Sequence, residues 1–293
     1  PYRKHLDTNT VDPAAVDTFL TKLFAETDFQ ALAHEEKDFQ QQLVLDEGHK
    51  LGALARGSNV DAPRVTLRAY VDTLIERTRT ALADPAHKPE DRLAALRRLS
   101  MSAQIAILSV PLPEDVQSDI AKAYAAINKE VGKRNIPVAV RSSAVGEDSA
   151  DAAFAGAQDT YLNITGAADV VTHVQRNFAS GFNVRALEYR LSQIDKEVSE
   201  RGTPLAEALE KFDFNNIDVS VTIQQMIKSQ KAGTAFSIDP ASGLDNVVAI
   251  DANFGYGESV VGGRVTPDNY LASKDSGLVA RTLGKKDLMV DDK

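Results

Sequence analysis

The 293-residue chain carries 33 lysines and arginines against 42 aspartates and glutamates, which gives a formal net charge of −9. This balance argues against a nucleic-acid-binding protein, because no basic stripe would attract a phosphate backbone. Cysteine is absent, so disulfides, thiolate chemistry and metal–sulfur sites are excluded. No apolar run is long enough to span a bilayer, and no signal-peptide pattern is present. We therefore expect a cytoplasmic domain without a membrane partner.

Residues 1–135 are predicted to be helical, because apolar side chains recur there at the spacing of one helix face. The predicted helices cover Val11–Ala25, Val65–Leu82, Pro89–Leu108 and Pro113–Val131. Asp12 is placed to cap the first of them, and Pro13 follows in its first turn. Glycine and proline separate the helices.

Residues 136–293 alternate short β-rich stretches with helical ones. The predicted strands are Val138–Arg141, Thr160–Ile164, Val219–Ile227, Gly233–Ile238 and Val247–Ala252. The predicted helices are Gly166–Phe182, Ala186–Val198 and Pro204–Phe212. Hydrophobic strands with helices between them predict a mixed α+β (α/β) domain.

Residues 138–163 are the most informative segment of the chain. An apolar strand runs into Arg141, and two serines and the acidic pair Glu147 and Asp148 follow. A turn of small residues around Gly156 then leads into the β-prone stretch that begins near Thr160. Arginine offers a planar fork of donors, and glycine lets backbone N–H groups approach oxygen atoms closely. These groups are typical of a polyphosphate site; the alternative is a surface loop with one chance arginine.

This segment resembles the ATP-binding domain of the phosphoenolpyruvate synthase (pyruvate, water dikinase) and pyruvate phosphate dikinase family, a domain that rifampin phosphotransferase shares. The family pattern is an apolar strand, RSSA, an acidic pair and a FAGQ.(D/E)T.LN turn, in which Ala157 is a departure. Further motifs similar to the family's stand in the same order at 176–190, 221–227, 233–240 and 254–268. The resemblance is strong from about residue 137 to 290 and faint before that.

The resemblance implies an ATP-grasp-type fold, in which two subdomains clamp ATP and Mg²⁺ between them. Arg141 matches the family's phosphate-binding arginine, and Gly156 and Thr160 match positions that meet the triphosphate. Gln224 and Met226 lie on the strand whose counterpart touches adenine. Strand alternation would put Gln224 and Met226 on one face and Gln225 and Ile227 on the other.

Each of these residues also has a plain structural interpretation. Arg141 alone could be a surface ion pair, Gly156 a tight turn, and Met226 a core side chain. Glu258, after a glycine turn, fits an acid held near Mg²⁺ or ribose, or the cap of a helix that begins at Ser259. Glu147 and Asp148 could be solvated loop acids. The five histidines show no metal spacing.

Two other nucleotide-binding signatures do not fit the chain. Gly255 and Gly257 resemble part of a dinucleotide fingerprint, but the third glycine is not at the required place. No GxxxxGK(S/T) motif occurs, so a P-loop enzyme is excluded.

Several family motifs are missing from the chain. It has no GGK...LGEM segment, whose lysine binds phosphates, no distal QARP strand and no phosphohistidine motif. We therefore expect residues 136–293 to be a nucleotide-binding region that is incomplete at both ends, within a larger protein or complex. Residues 1–135 look longer than the family's usual helical part, and roughly 30–100 are predicted to be an insertion.

The resemblance implies a dikinase module that cleaves ATP to AMP and phosphate. The β-phosphoryl group would end on a carrier histidine in another domain or subunit, which then phosphorylates the final acceptor. Pyruvate is the commonest acceptor; phenol, through phenylphosphate synthase with its separate ATP-binding subunit, is another, and rifampin a third. The alternative from a different class is a non-catalytic scaffold or regulatory module that keeps the fold without turnover.

Overall fold

The computed structural model describes residues 1–27, 37–56, 62–84, 86–144, 148–149, 152–153, 159–211 and 219–291. Its backbone contacts divide the chain into two compact units, Pro1–Gln225 and Met226–Lys293. The mixture of helix and sheet confirms the predicted fold class. The predicted division between residues 135 and 136 lies inside the first unit, shortly before the strand Val138–Ala144; as a boundary between functional parts it stays a prediction.

The helices of the first unit, within the described residues, are α1 (Tyr2–Thr8), α2 (Pro13–Glu26), α3 (Lys37–Arg56), α4 (Leu67–Ala83), α5 (Pro89–Ser109), α6 (Glu114–Val131), α7 (Ala167–Ser180), α8 (Val184–Arg201) and α9 (Leu205–Lys211). Its described strands are β1 (Thr10–Val11), β2 (Val65–Thr66), β3 (Val138–Ala144), β4 (Asp148–Ser149), β5 (Ala152–Ala153), β6 (Thr160–Ile164) and β7 (Val219–Gln225).

Helix α2 forms as the sequence predicts. The Asp12 side chain accepts hydrogen bonds from the backbone N–H groups of Ala14 and Ala15, at 3.0 and 3.2 Å. These bonds satisfy donors that a helix N-terminus leaves without intrahelical partners. Val16 and Leu20, four residues apart on one face, are buried, and this burial attaches the helix to the core.

Helix α3 was not predicted from the sequence, because Gly48 and Gly52 weaken its helical pattern. The structure gives a physical reason for a glycine inside this helix. A Cβ added at Gly48 would lie 2.7 Å from the Cβ of Leu108, closer than two carbon atoms can pack. The missing side chain therefore lets α3 and α5 approach each other closely.

Strands β6, β3 and β7 form an antiparallel sheet in that order. One of its faces packs on the helical core, where Val138 and Val140 are fully buried. Helix α7 fastens this face, because the Asn177 side-chain amide donates to the carbonyl of Val140 at 3.2 Å. The central strand β3 is thus paired on both edges and held on one face.

The second unit contains the described strands β8 (Lys231–Phe236), β9 (Val247–Phe254), β10 (Asp268–Ser273) and β11 (Gly277–Thr282) and the short helix α10 (Glu258–Val261). The strands form an antiparallel sheet in the order β11-β10-β9-β8. The last two were not predicted, because aspartate, asparagine and glycine at their starts are poor strand formers.

Two partly buried polar contacts tie the C-terminal segment to this sheet. The Lys286 ammonium lies 2.7 Å from Asp268 Oδ2, and the backbone N–H of Gly284 donates to Oδ1 at 3.0 Å. The hydrogen bond from Lys286 is the largest cause of the lowered pKa of Asp268.

Within the described residues, no single helix is both long and apolar enough to cross a membrane; only α5 and α6 taken together, with an 85° bend between them, meet that test by length and composition.

Candidate functional site

The two faces of strand β7 differ sharply in burial. Val219 is buried, and Val221 and Ile223 pack partly buried against the core. The intervening residues, Thr222 and Gln224 among them, are exposed. Because side chains alternate across a strand, the sheet presents a polar face on the side away from the core.

Arg141 lies in the middle of this polar face. It is paired directly opposite Thr160 on β6 and directly opposite Thr222 on β7. Directly opposite residues share a face, with Cβ atoms about 4.5–5.5 Å apart. All three side chains are exposed. We call Arg141, Thr160, Thr222 and Gln224 the Arg141 face.

Gln224 joins this face through a side-chain contact. Arg141 Nη1 donates to Gln224 Oε1 at 3.4 Å, a long hydrogen bond between residues 83 positions apart in the chain. Gln224 is paired opposite Ala139, so the guanidinium extends along the strand toward that position. The bond uses the amide oxygen, and the Gln224 NH₂ group remains a donor for a further acceptor.

Thr160 is held in place by the residues on either side of it. Asp159 is buried, and the Tyr161 hydroxyl donates to its Oδ2 at 3.1 Å. Burial is the largest cause of the raised pKa of Tyr161, followed by the charge of Asp159. The Arg176 guanidinium lies 4.5 Å from the Tyr161 ring centroid, a cation–π distance. Since its two neighbours point toward the core, the Thr160 side chain points to the open face.

Part of the predicted phosphate-binding segment lies outside the described residues. Gly156 and Glu147 both belong to that part, and Asp148 is described only as backbone of β4. Their predicted roles therefore stay predictions.

Strand β7 is shorter than predicted, so the predicted alternation does not extend to Met226. The strand ends at Gln225, and Met226 is the first residue of the second unit. Gln224 and Gln225 are consecutive strand residues, and both are exposed. The pairing stops at Val138 with Gln225, and the preceding Pro137 has no N–H with which to continue the ladder. Met226 is half-buried, and its predicted contact with adenine stays a prediction.

Glu258 is the first residue of α10, so the helix begins one residue before the position predicted from the sequence. Its side chain is exposed and makes no hydrogen bond or ion pair within the described part of the chain. Behind it, the Asn253 amide donates to the Ser259 hydroxyl at 2.9 Å and to the carbonyl of Leu288 at 2.7 Å. Gly255, with φ of +77°, supplies the left-handed turn before the helix. The turn therefore presents the Glu258 carboxylate to solvent.

Among the described residues, no group of three histidine, aspartate or glutamate side chains is placed to hold a metal ion. Mg²⁺ in phosphoryl-transfer sites commonly uses only one or two carboxylates together with the substrate's phosphates. The exposed Glu258 carboxylate fits that kind of site.

A cavity of about 530 Å³ lies among α2, α4 and α5 in the helical region. None of the predicted site residues lines it. Asp17, one of its lining residues, has both carboxylate oxygens paired: Oδ2 accepts from both terminal nitrogens of Arg77, at 3.0 and 3.1 Å, and Oδ1 accepts from the Tyr70 hydroxyl at 2.7 Å. This arrangement favours a structural role for the ion pair.

Sequence reasoning placed Arg141, Thr160 and Gln224 in one site, and the structure brings these three onto one face. It missed Thr222. The signal that could have found this residue is strand alternation, since Thr222 stands two positions before Gln224 on the same strand.

Comparison with protein families gives one match over most of the chain. A family model described as pyruvate phosphate dikinase, AMP/ATP-binding domain, matches residues 48–292. The match includes part of the stretch, roughly 30–100, that we predicted to be an insertion; that interpretation stays a prediction.

Three curated relatives illustrate the similarity. The chain is 39% identical over 195 residues to a probable phosphoenolpyruvate synthase of Methanothermobacter thermautotrophicus, covering 66% of this chain and 26% of that protein. It is 34% identical over 250 residues to a probable phosphoenolpyruvate synthase of Pyrococcus horikoshii, covering 84% and 27%. It is 32% identical over 257 residues to a rifampicin phosphotransferase of Streptomyces sviceus, covering 86% and 27%. The chain thus spans about a quarter of the length of these relatives.

Proposed function

Because the chain belongs to the pyruvate phosphate dikinase AMP/ATP-binding domain family, we propose that it is the ATP-binding phosphotransfer module of a dikinase. In this proposal the module binds ATP and cleaves it, so that AMP and phosphate are the products. The β-phosphoryl group passes to a carrier histidine on another domain or subunit. The Arg141 face is the observation that carries the proposal. A guanidinium stands there on a strand that is paired on both edges, with hydroxyls directly opposite it on each side.

The chemistry of this face suits phosphoryl transfer. Negative charge spreads over the oxygen atoms of the transferring group, and catalysis depends chiefly on positioning and on fixed cations that stabilise that charge. Arg141 supplies such a cation, and its position on β3 needs little rearrangement when ATP binds. Thr160 supplies a hydroxyl donor from the neighbouring strand.

The remaining contacts are proposed from the family resemblance and from what each residue can donate or accept. Gly156 would offer a backbone N–H to the triphosphate. Gln224 and Met226 would contact the adenine. Glu258, together with the phosphates of ATP, would hold Mg²⁺, which supplies charge neutralisation when bound.

The phosphoryl carrier and the acceptor are assigned to other domains or subunits. His5 is completely buried, and both of its ring nitrogens are hydrogen-bonded. It is therefore poorly suited to accept a phosphoryl group. Relatives named phosphoenolpyruvate synthase and rifampicin phosphotransferase favour pyruvate or a rifamycin as the final acceptor, and phenol is a further candidate.

The test uses the intact protein that contains these residues, with Mg²⁺ and ATP labelled at the β-phosphate. We expect ATP binding, release of AMP, and acid-labile label on a histidine outside residues 1–293. ATP binding without AMP release would favour the non-catalytic scaffold instead. A protein that does not bind ATP would contradict both functions, and label on His5, His49, His87 or His173 would contradict the proposed division of labour.

A further inference from the structure

We propose that the hydroxyl of Thr222 is a second phosphate-binding group of the Arg141 face, the counterpart of Thr160 on the opposite side of the guanidinium. The inference rests on the proposed function, because it names a further residue of the same ATP site. Thr222 lies within a motif similar to the family's, but the motif assigned no role to it; the inference depends on the pairing register of β3 and β7.

The geometry makes Thr222 and Thr160 equivalent with respect to Arg141. Each threonine is the direct cross-strand partner of the arginine, one on each neighbouring strand. The Thr222 side chain cannot turn toward the core, because its neighbours Val221 and Ile223 pack there and alternate side chains point to opposite faces. The three side chains therefore form one row across the sheet, hydroxyl, guanidinium, hydroxyl.

The Thr222 hydroxyl is also available to a ligand. Helical threonines of this chain satisfy their hydroxyls internally: Thr78 and Thr172 donate to the carbonyl four residues earlier, at 2.9 and 3.1 Å. An extended strand places that carbonyl out of reach. Within the described residues, the Thr222 hydroxyl makes no hydrogen bond, and the side chain is exposed.

An anion bound by Arg141 offers the partner that this hydroxyl lacks. The guanidinium has donors only, so a phosphate bound there keeps oxygen lone pairs directed to either side. A hydroxyl one strand away on each side can donate to those oxygens. Threonine is also a good strand former on an exposed face, so a purely structural role must be separated from this one by experiment.

The experiment compares Thr222→Val with Thr222→Ser in the intact protein. Valine keeps the branched shape and the strand propensity but removes the hydroxyl, whereas serine keeps the hydroxyl and removes the methyl group. We expect Thr222→Val to weaken binding of ATP and of inorganic triphosphate by about tenfold each, as expected for one lost hydrogen bond to a charged group. Thr222→Ser should stay within twofold of the parent. Adenosine binding and the thermal midpoint should not change.

Thr282→Val is the matched control, because Thr282 is an exposed strand threonine of the second unit; we expect parental affinities for ATP and triphosphate. If Thr222→Val does not fold, Thr222→Ala serves as the hydroxyl-free variant. Parental triphosphate affinity in a folded, hydroxyl-free variant would overturn the inference and leave the proposed function intact. Equal losses for adenosine and triphosphate would overturn it in favour of a structural role. A parent that does not bind ATP would overturn the proposed function and this inference together.

Discussion

The two faces of the three-stranded sheet are built from the same strands but serve opposite requirements. On the core face, Val138 and Val140 are fully buried and Val219 nearly so. On the open face, Arg141 and Gln224 are exposed and contact each other. Apolar burial on one side stabilises the fold, while polar groups on the other side remain available to a ligand.

This difference teaches that stability and binding are separable within a single strand. Val140 and Arg141 are adjacent in sequence, but their side chains point to opposite faces. A substitution at Val140 should therefore change the free energy of unfolding, and a substitution at Arg141 should change the rate of AMP formation. Each prediction below tests whether the two effects can be separated in this way.

The largest expected effect is at Arg141. Arg141→Ala should lower the rate of AMP formation by about 100-fold or more, because a fixed cation aimed at the transferring phosphoryl group is lost. Arg141→Lys should fall between the parent and alanine, since it keeps the charge but loses the planar fork. The thermal midpoint should stay close to the parent's, because the side chain is exposed.

Arg134→Ala serves as the control for a lost surface cation, since Arg134 is an exposed arginine just before the same strand. We expect its rate to match the parent's. An Arg141→Ala protein within twofold of the parent would remove Arg141 from the site.

Val140→Ala tests the other face of the same strand. Val140 has no exposed surface, and removing two buried methyl groups should lower the free energy of unfolding by about 2 kcal/mol. The folded fraction should bind ATP within twofold of the parent, because Arg141 and its partners are unchanged. Chemical denaturation and ATP titration under the same conditions measure both quantities. A stable variant with weak ATP binding would show that the two faces are coupled.

The core face leaves a clearer signal in the sequence than the open face. The alternation of Val219, Val221 and Ile223, visible in the sequence, coincides with the buried side of β7. The pairing of Arg141 with Thr222 is not visible, because a register between strands far apart in the chain leaves no trace in a local pattern. The resemblance to the family placed Arg141 and Gln224 in one site, but it did not predict the contact between their side chains.

Two errors have local physical causes. The predicted β7 ran to Ile227, but the structure ends it at Gln225, opposite the start of β3. Met226 and Ile227 are apolar and suggest a longer strand. The hydrogen bonding between β3 and β7 ends there, however, because the preceding residue of the partner segment, Pro137, has no N–H to donate. Helix α3 was missed because its glycines, which permit close packing against α5, read as helix breakers in isolation.

The smallest expected effect is a pH dependence of the free energy of unfolding. It originates in the helical core and should not change ATP binding at the Arg141 face. His5 is completely buried, and each of its ring nitrogens has a hydrogen-bonding partner. Its Nε2 lies 3.0 Å from the carbonyl oxygen of Ile107, and its Nδ1 lies 2.7 Å from the side-chain amide nitrogen of Asn9. The carbonyl must accept and the amide must donate, so the geometry fits a neutral ring with its proton on Nε2.

Burial lowers the pKa of His5 below its ordinary value. The unfolded chain therefore binds a proton near pH 6.5, where the folded chain does not. Stability is unaffected well above that pH, and it falls as the pH drops below it, by at most about 1.4 kcal/mol per pH unit for one group. Burial also lowers the pKa of His173, so this residue adds to the loss of unfolding free energy as the pH falls.

His5→Gln should therefore reduce the loss of stability between pH 7 and pH 5 without abolishing it, and His49→Gln, at an exposed position, should leave the slope unchanged. Urea denaturation at pH 7, 6 and 5 measures how the free energy of unfolding changes with pH. ATP titration of the folded proteins at each pH measures whether the affinity of the Arg141 face changes with it. Arginine, threonine and glutamine side chains do not titrate in this range, so parent and His5→Gln should bind ATP equally at every pH. An unchanged slope in His5→Gln would exclude His5 as its source, and a difference in ATP affinity would show that the helical core and the open face are coupled.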